Sequence, residues 1–139
     1  MDFQNIEKLT EIKLNFADKY MSPQHLAYFE SVLIAWKNAI TEHDKNAKSQ
    51  LRQDTEPMAD ISDRASLEEE FALTLRSRDR ERKLIAKINA ALARIANEEF
   101  GYCNKCGIEI GLKRLQARPT AELCIDCKQI EEKREKTYT

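Results

Sequence analysis

Apolar residues recur along this chain in two long runs of alternating three- and four-residue steps. The first passes through Leu26, Phe29, Leu33, Trp36, Ile40, His43 and Ala47 and fades near Arg52. That spacing is the seam of a heptad helix. Ser22-Pro23 just before it is a strong helix start, with Ser as N-cap and Pro at the first helical position. The second run passes through Leu67, Phe71, Thr74, Arg78, Glu81, Ile85, Ile88, Leu92 and Ile95. Its middle is polar, so either the packing weakens there or the stripe shifts toward Leu75 and Leu84. Between the runs, residues 54–61 read as a turn. Pro57 interrupts a helix, and Asp60 or Ser62 can cap the next one.

Two heptad helices of similar length joined by a turn predict an antiparallel coiled-coil hairpin over 22–99, with its tip near 54–65. Each arm is about 45–55 Å long at 1.5 Å per residue. A wider helical bundle is the competing architecture. It would need more partner surface than the residues outside the hairpin supply. Residues 1–21 carry Phe3, Ile6, Leu9, Ile12 and Phe16, a rough helical spacing that predicts a short amphipathic helix in a globular base. Residues 100–139 hold every cysteine and glycine of the chain, followed by a charged helix from Asp126 to about Lys136. The predicted fold is therefore mostly α: a long hairpin plus a small globular four-cysteine domain, packed with the first and last helices.

Composition agrees with an elongated helical protein. Charged residues make up 34% of the 139, with only three Gly and three Pro. The net charge of −1 gives no global basic excess for nonspecific nucleic-acid binding. Its distribution is uneven. Residues 54–70 carry seven acids and one base, whereas 76–87 carry six bases and two acids. The start, Met1-Asp2-Phe3-Gln4, has no signal-peptide character, and no apolar stretch reaches membrane-spanning length. A cytoplasmic location is expected, where paired Cys-x-x-Cys motifs favour metal over disulfides.

Cys103-Asn-Lys-Cys106 and Cys124-Ile-Asp-Cys127 are seventeen residues apart. This spacing suits one tetrahedral four-sulfur Zn²⁺ site, closed and hence structural. A redox dithiol would need one reactive pair rather than two, and an iron–sulfur cluster fits the ribbon-like spacing less well.

Longer motifs surround these features. They are Asp60-Ile-Ser-Asp63-Arg64-Ala65, Glu68-Glu-Glu-Phe71, Leu75-Arg-Ser-Arg-Asp-Arg-Glu-Arg-Lys-Leu-Ile85, Phe100-Gly-Tyr-Cys103, and Arg114 through Lys128. Over about residues 22–136 the chain resembles the DksA/TraR zinc-finger family. The resemblance implies a transcription regulator that binds bacterial RNA polymerase rather than DNA. In the family the hairpin enters the polymerase secondary channel. The regulator destabilises open complexes at ribosomal RNA promoters, activates some others, and is strengthened by the alarmone ppGpp in the stringent response. Position by position, it implies a regulatory tip at Asp60, Asp63 and Ala65. It implies ppGpp-binding positions at Leu84, Lys87, Arg118 and Lys128, and polymerase contacts at Arg80 and Lys83. Ser77 stands where close relatives often have Asn.

Charge supports this reading, since carboxylates sit near the slender tip and bases toward the root, where a polyanion would be held. Blander roles compete. The 76–87 run could be a solvated helix face, and Asp60 and Asp63 could be helix caps. Trp36 and Phe71 read as core, and His43 as a packing residue. Two other functions compete as well. Paired acids at a hairpin tip could hold Mg²⁺ as transcript-cleavage factors do. A four-cysteine module could bind nucleic acid, although 100–139 holds only eight bases against six acids and lacks a basic helix with interleaved aromatics. The expectation is a non-enzymatic monomer without sequence-specific DNA binding or membrane association.

Overall fold

A computed structural model describes residues 12–53 and 61–138, with side chains over 12–46 and 64–137. It contains α1 (Pro23–Gln53), α2 (Ile61–Ala96), α3 (Leu112–Ala117) and α4 (Ile125–Tyr138). No strand occurs among the described residues; an isolated bridge, Tyr102 to Glu109, closes the first cysteine turn. The two long helices, of 31 and 36 residues, pair antiparallel as the hairpin. The tip turn and Asp60 lie outside the described residues.

Local chemistry explains the helix ends. Ser22 Oγ accepts the His25 amide at 3.3 Å, and the Ser22 carbonyl accepts the Leu26 amide at 3.0 Å. One orphan donor of the first turn is thereby satisfied while Pro23 presets the backbone. At the other end of the hairpin, Glu98 adopts a left-handed φ of 61°. The Glu98 amide reaches the Ile95 carbonyl at 3.2 Å and the Glu99 amide the Arg94 carbonyl at 2.8 Å. These paired reverse bonds are a Schellman termination of α2, built without glycine.

The core lies at the hairpin root. Tyr28, Phe29, Val32 and Leu33 of α1 meet Ile88 and Ala91 of α2 and Phe100, Ile110, Leu115 and Ala121 of the cysteine region. Phe29 and Phe100 stand 5.3 Å apart between ring centroids, which joins hairpin and cysteine region into one apolar cluster.

Away from the root the seam turns ionic. Arg78 Nε donates to Asp44 Oδ1 at 2.9 Å, and His43 Nδ1 lies 2.7 Å from Glu81 Oε1. His43 is thus a cross-helix polar partner rather than a packing residue. The stripe does not shift to Leu75, which is 45% exposed. Phe71 is also 45% exposed, against its reading as core.

Residues 12–21 do not continue an amphipathic helix. They form turns, with Ile12 and Phe16 exposed; the first eleven residues lie outside the description. The cause is local competition for the backbone. Asn15 Oδ1 accepts the Ala17 amide at 3.0 Å, and the Asn15 carbonyl is bound by the buried His25 ring at 2.6 Å. Tyr20 then clamps this segment to the cysteine region. Its hydroxyl donates to the Gly101 carbonyl at 2.6 Å and accepts the Gly111 amide at 3.1 Å. Along α4, Ile125 and Ile130 are more than half exposed. A pairing of α4 with a helix in residues 1–11 would fall outside the described residues.

Candidate metal centre and anion cleft

The four cysteines meet at the root. Cys103 opens a tight turn in which its amide donates to the Ile108 carbonyl at 2.8 Å and its carbonyl accepts the Gly107 amide at 3.0 Å. Gly107 supplies the φ of 78° that this knuckle requires. Cys124 precedes α4 and Cys127 lies in its first turn, where the Cys127 amide approaches Cys124 Sγ at 3.5 Å. The Asn104 amide donates to the Glu122 carbonyl at 2.9 Å, tying one knuckle to the strap that enters the other.

The four sulfur atoms lie within 4.8 Å of one another, with Cys106 and Cys124 at 3.6 Å. A tetrahedron with Zn–S bonds near 2.3 Å has edges of about 3.8 Å, so the donor set fits that ion. Its proton chemistry fits too. Burial penalises the Cys103 thiolate, but the backbone amides of Cys106, Cys124 and Lys105 outweigh it and bring the thiol down to about 6. Hydrogen bonding to Cys124, then burial, pushes Cys127 up to about 12. Sulfurs this close resist sharing several negative charges without a cation among them. Zn²⁺, when bound, supplies that charge and cross-links the two knuckles. With four protein ligands the site has no open position, so its role is structural.

Beside the metal centre, a cleft of about 390 Å³ runs between the hairpin and the 114–131 segment. Trp36 and Leu84 give it an apolar wall, and Lys87, Arg114, Arg118 and Lys128 give it positive charge. The cations arrive from separate elements. Lys87 stands on α2, Arg118 follows α3, and Lys128 lies in the first turns of α4. Two carboxylates also line the cleft, and both are engaged. Glu122 Oε1 accepts from Arg94 Nη1 at 2.9 Å. Glu131 pairs with Lys105 at 2.7 Å, a bond that holds its carboxyl below the usual range. Arg114 is held as well, its Nε donating to the Leu123 carbonyl at 3.1 Å. Lys87, Arg118 and Lys128 make no salt bridge among the described residues. The cleft can therefore offer three cations beside an aliphatic and an aromatic wall to a polyanion.

All four positions assigned to the alarmone by resemblance, Leu84, Lys87, Arg118 and Lys128, thus line one cleft. Arg80 and Lys83 are exposed on α2, Lys83 beside Asp79 at 3.3 Å. With Leu84 and Lys87 they share a face at three-, four- and seven-residue spacing. Ala65 is exposed near the start of α2, while Asp63 lies in its first turn with its side chain outside the description. Sequence reasoning missed Arg114, Glu122 and Glu131, and took Trp36 as core only. The acidic pair carried no signal, because its partners Arg94 and Lys105 are far away in sequence.

Two family descriptions match the chain: "DnaK suppressor protein DksA, N-terminal domain" over residues 25–95, and "Prokaryotic dksA/traR C4-type zinc finger" over 98–133. This chain belongs to the DksA/TraR family. It is 49% identical over 119 residues to the RNA polymerase-binding transcription factor DksA of Escherichia coli K12, covering 86% of this chain and 79% of that protein. The Haemophilus influenzae protein of the same name is 47% identical over 86% of this chain and 82% of its own. Among solved structures, transcription factor DksA2 from Pseudomonas aeruginosa superposes with a TM-score of 0.79 at 36% identity, covering 95% of this chain and 98% of that one. These relatives are named as transcription factors, not enzymes. The C4 zinc-finger match coincides with the four-sulfur cluster, which is a structural zinc site. No helix among the described residues is long and apolar enough to cross a membrane.

Proposed function

We propose that this chain is a cytoplasmic, monomeric and non-enzymatic regulator that binds bacterial RNA polymerase through its secondary channel. With ppGpp it modulates transcription initiation, repressing ribosomal RNA promoters and activating others. The observation that carries this reading is the meeting of Leu84, Lys87, Arg118 and Lys128 in one cleft. Lys87, Arg118 and Lys128, which make no salt bridge among the described residues, stand beside an apolar wall and match a guanine nucleotide bearing two diphosphate groups. Such a cleft at the hairpin root, open toward solvent, suits a ligand shared with a second protein. The hairpin is slender enough to enter a channel while the base stays outside, with Arg80 and Lys83 exposed on α2, tipward of the cleft on the same face, for the channel rim. Asp63, supported by Asp60 and Ala65, acts at the inserted tip. No contact with specific DNA sequence is assigned to the zinc module, whose role is to hold the base together.

The test is in vitro transcription from a ribosomal RNA promoter with the matching polymerase, with and without ppGpp. The wild-type chain should inhibit, ppGpp should deepen the inhibition, and Asp63→Asn should remove it while polymerase binding persists. A folded, zinc-loaded wild-type protein without effect would sink the proposal. Cleavage of RNA in stalled complexes, or salt-dependent promoter binding without polymerase, would then replace it.

A further inference from the structure

Arg94 touches neither the metal nor the cleft, yet it sits where the two are joined. It lies seven residues after Lys87, two turns along the same face of α2. Its side chain is only 13% exposed, and Nη1 donates to Glu122 Oε1 at 2.9 Å. Nη2 is buried without a hydrogen-bond partner among the described residues, and among them Glu122 is the carboxylate that answers this charge. Glu122 in turn stands four residues after Arg118 and two before Cys124. Its carbonyl holds the Asn104 amide, and the next carbonyl, Leu123, holds Arg114. The strap from Arg118 to Leu123 is thereby fastened to the hairpin, to the first cysteine knuckle and to α3. Of these polar fastenings the Arg94–Glu122 pair is the one that crosses to the helix that carries Lys87, beside the packing of Ala121 in the root cluster with Ile88 and Ala91.

We infer that Arg94 is a positioning residue of the anion cleft: its pair with Glu122 sets the separation of Lys87 from Arg118. The inference rests on the proposed ppGpp reading for its ligand but not for its geometry. A buried guanidinium deprived of its carboxylate is costly, so the strap has one strongly preferred place while the pair stands. Breaking the pair leaves Ala121 packed in the root cluster but lets the strap on either side of it, and Arg118 with it, shift relative to Lys87. A polyanion that needs both walls then loses affinity, whereas the hairpin tip and the exposed Arg80 and Lys83, two or more turns from Arg94, are untouched.

Arg94→Leu keeps the apolar stem and removes the pair. In the free, zinc-loaded chain, amide exchange at Asn104 and across residues 118–123 should quicken with zinc content unchanged. In transcription assays the ppGpp concentration for half-maximal effect should rise about tenfold, within the usual range of coupling between sites. Inhibition without ppGpp and polymerase affinity should match wild type. Unchanged exchange, or an unchanged ppGpp response, overturns the inference. If ppGpp does nothing to the wild type while exchange quickens in the variant, the ligand reading falls and the positioning role stands. Should Arg94→Leu not fold, the charge swap decides. Arg94→Glu with Glu122→Arg must restore the slow exchange lost in Arg94→Glu alone, and failure to restore it overturns the inference.

Discussion

Glu98 and Gly101 both sit at positive φ, 61° and 95°, at the junction between hairpin and metal site. Their residue types meet that demand in opposite ways. Glycine takes the left-handed region freely, whereas a residue with Cβ pays roughly 1–2 kcal/mol. Glu98 is exposed, so little packing opposes its replacement. Glu98→Gly should therefore stabilise the zinc-loaded protein by about 1 kcal/mol in urea denaturation, less what the freer unfolded chain recovers. Gly101→Ala should do the reverse. A Cβ there would lie 2.8 Å from Met21 Cγ in addition to the unfavourable φ. We expect a loss of about 1–3 kcal/mol and a loosening of the Tyr20 clamp, visible as faster exchange of the Gly111 amide. Gly101 is legible in the sequence as a turn glycine. Glu98 is not, because nothing in its residue type announces a left-handed termination. Lys87 belongs to this scale as well. Lys87→Ala should blunt the ppGpp response more than ppGpp-free inhibition, since it removes one of the four cleft cations and no contact of the tip. Equal loss of both activities would argue against that division.

At the scale of elements, the hairpin was legible because apolar steps of three and four persist through Leu26–Ile40 and Ile85–Ile95. Ser22-Pro23 marked its start for a chemical reason that the structure reproduces. Over residues 12–21 the expected helix gives way to turns, because spacing alone cannot weigh Asn15 and Asp18, which draw the backbone into them. The polar middle of the seam was visible as a break, but its solution was not. Which residues of α1 face Arg78 and Glu81 depends on register, and register depends on the turn and the root together. The result is an ionic layer, with Arg78 and Asp44 side chains 22% and 29% exposed. Partly buried pairs of this kind add little over apolar isosteres, but a stranded partner is costly. Asp44→Leu alone should destabilise the hairpin by about 1–3 kcal/mol, whereas Asp44→Leu with Arg78→Leu should be as stable as wild type or more so. Urea unfolding followed by helical circular dichroism compares the two. Equal destabilisation by the single and double changes would refute this account of the layer.

For the whole molecule, the metal joins parts that otherwise have few reasons to stay together. Among the described residues, the cysteine region has the short α3, the α4 that carries Cys127, one bridge and a core that depends on Phe29 and Leu33 from the hairpin. The four-cysteine motif was fully legible, because two knuckles at that spacing have one good chemical use. The cleft was legible only through resemblance. Lys87, Arg118 and Lys128 are far apart in the chain, and only the closed knuckles and the docked root set them side by side. Loss of metal should therefore act selectively. Chelation, or Cys103→Ser, removes the cross-link between Cys103–Cys106 and Cys124–Cys127 and frees the base of α4, where Lys128 stands. Zinc-site free energies are large enough to decide folding in small domains. The root core should loosen, with faster exchange at Cys103, Gly107 and Asn104, while part of the α1–α2 helicity remains. Since ligation requires thiolates, metal loss to a fixed chelator should quicken as pH falls, because protons compete for the sulfurs. A Cys103→Ser protein that kept native exchange protection through the root and the 118–123 strap would show that the apolar cluster alone holds the base, and would overturn this division of labour.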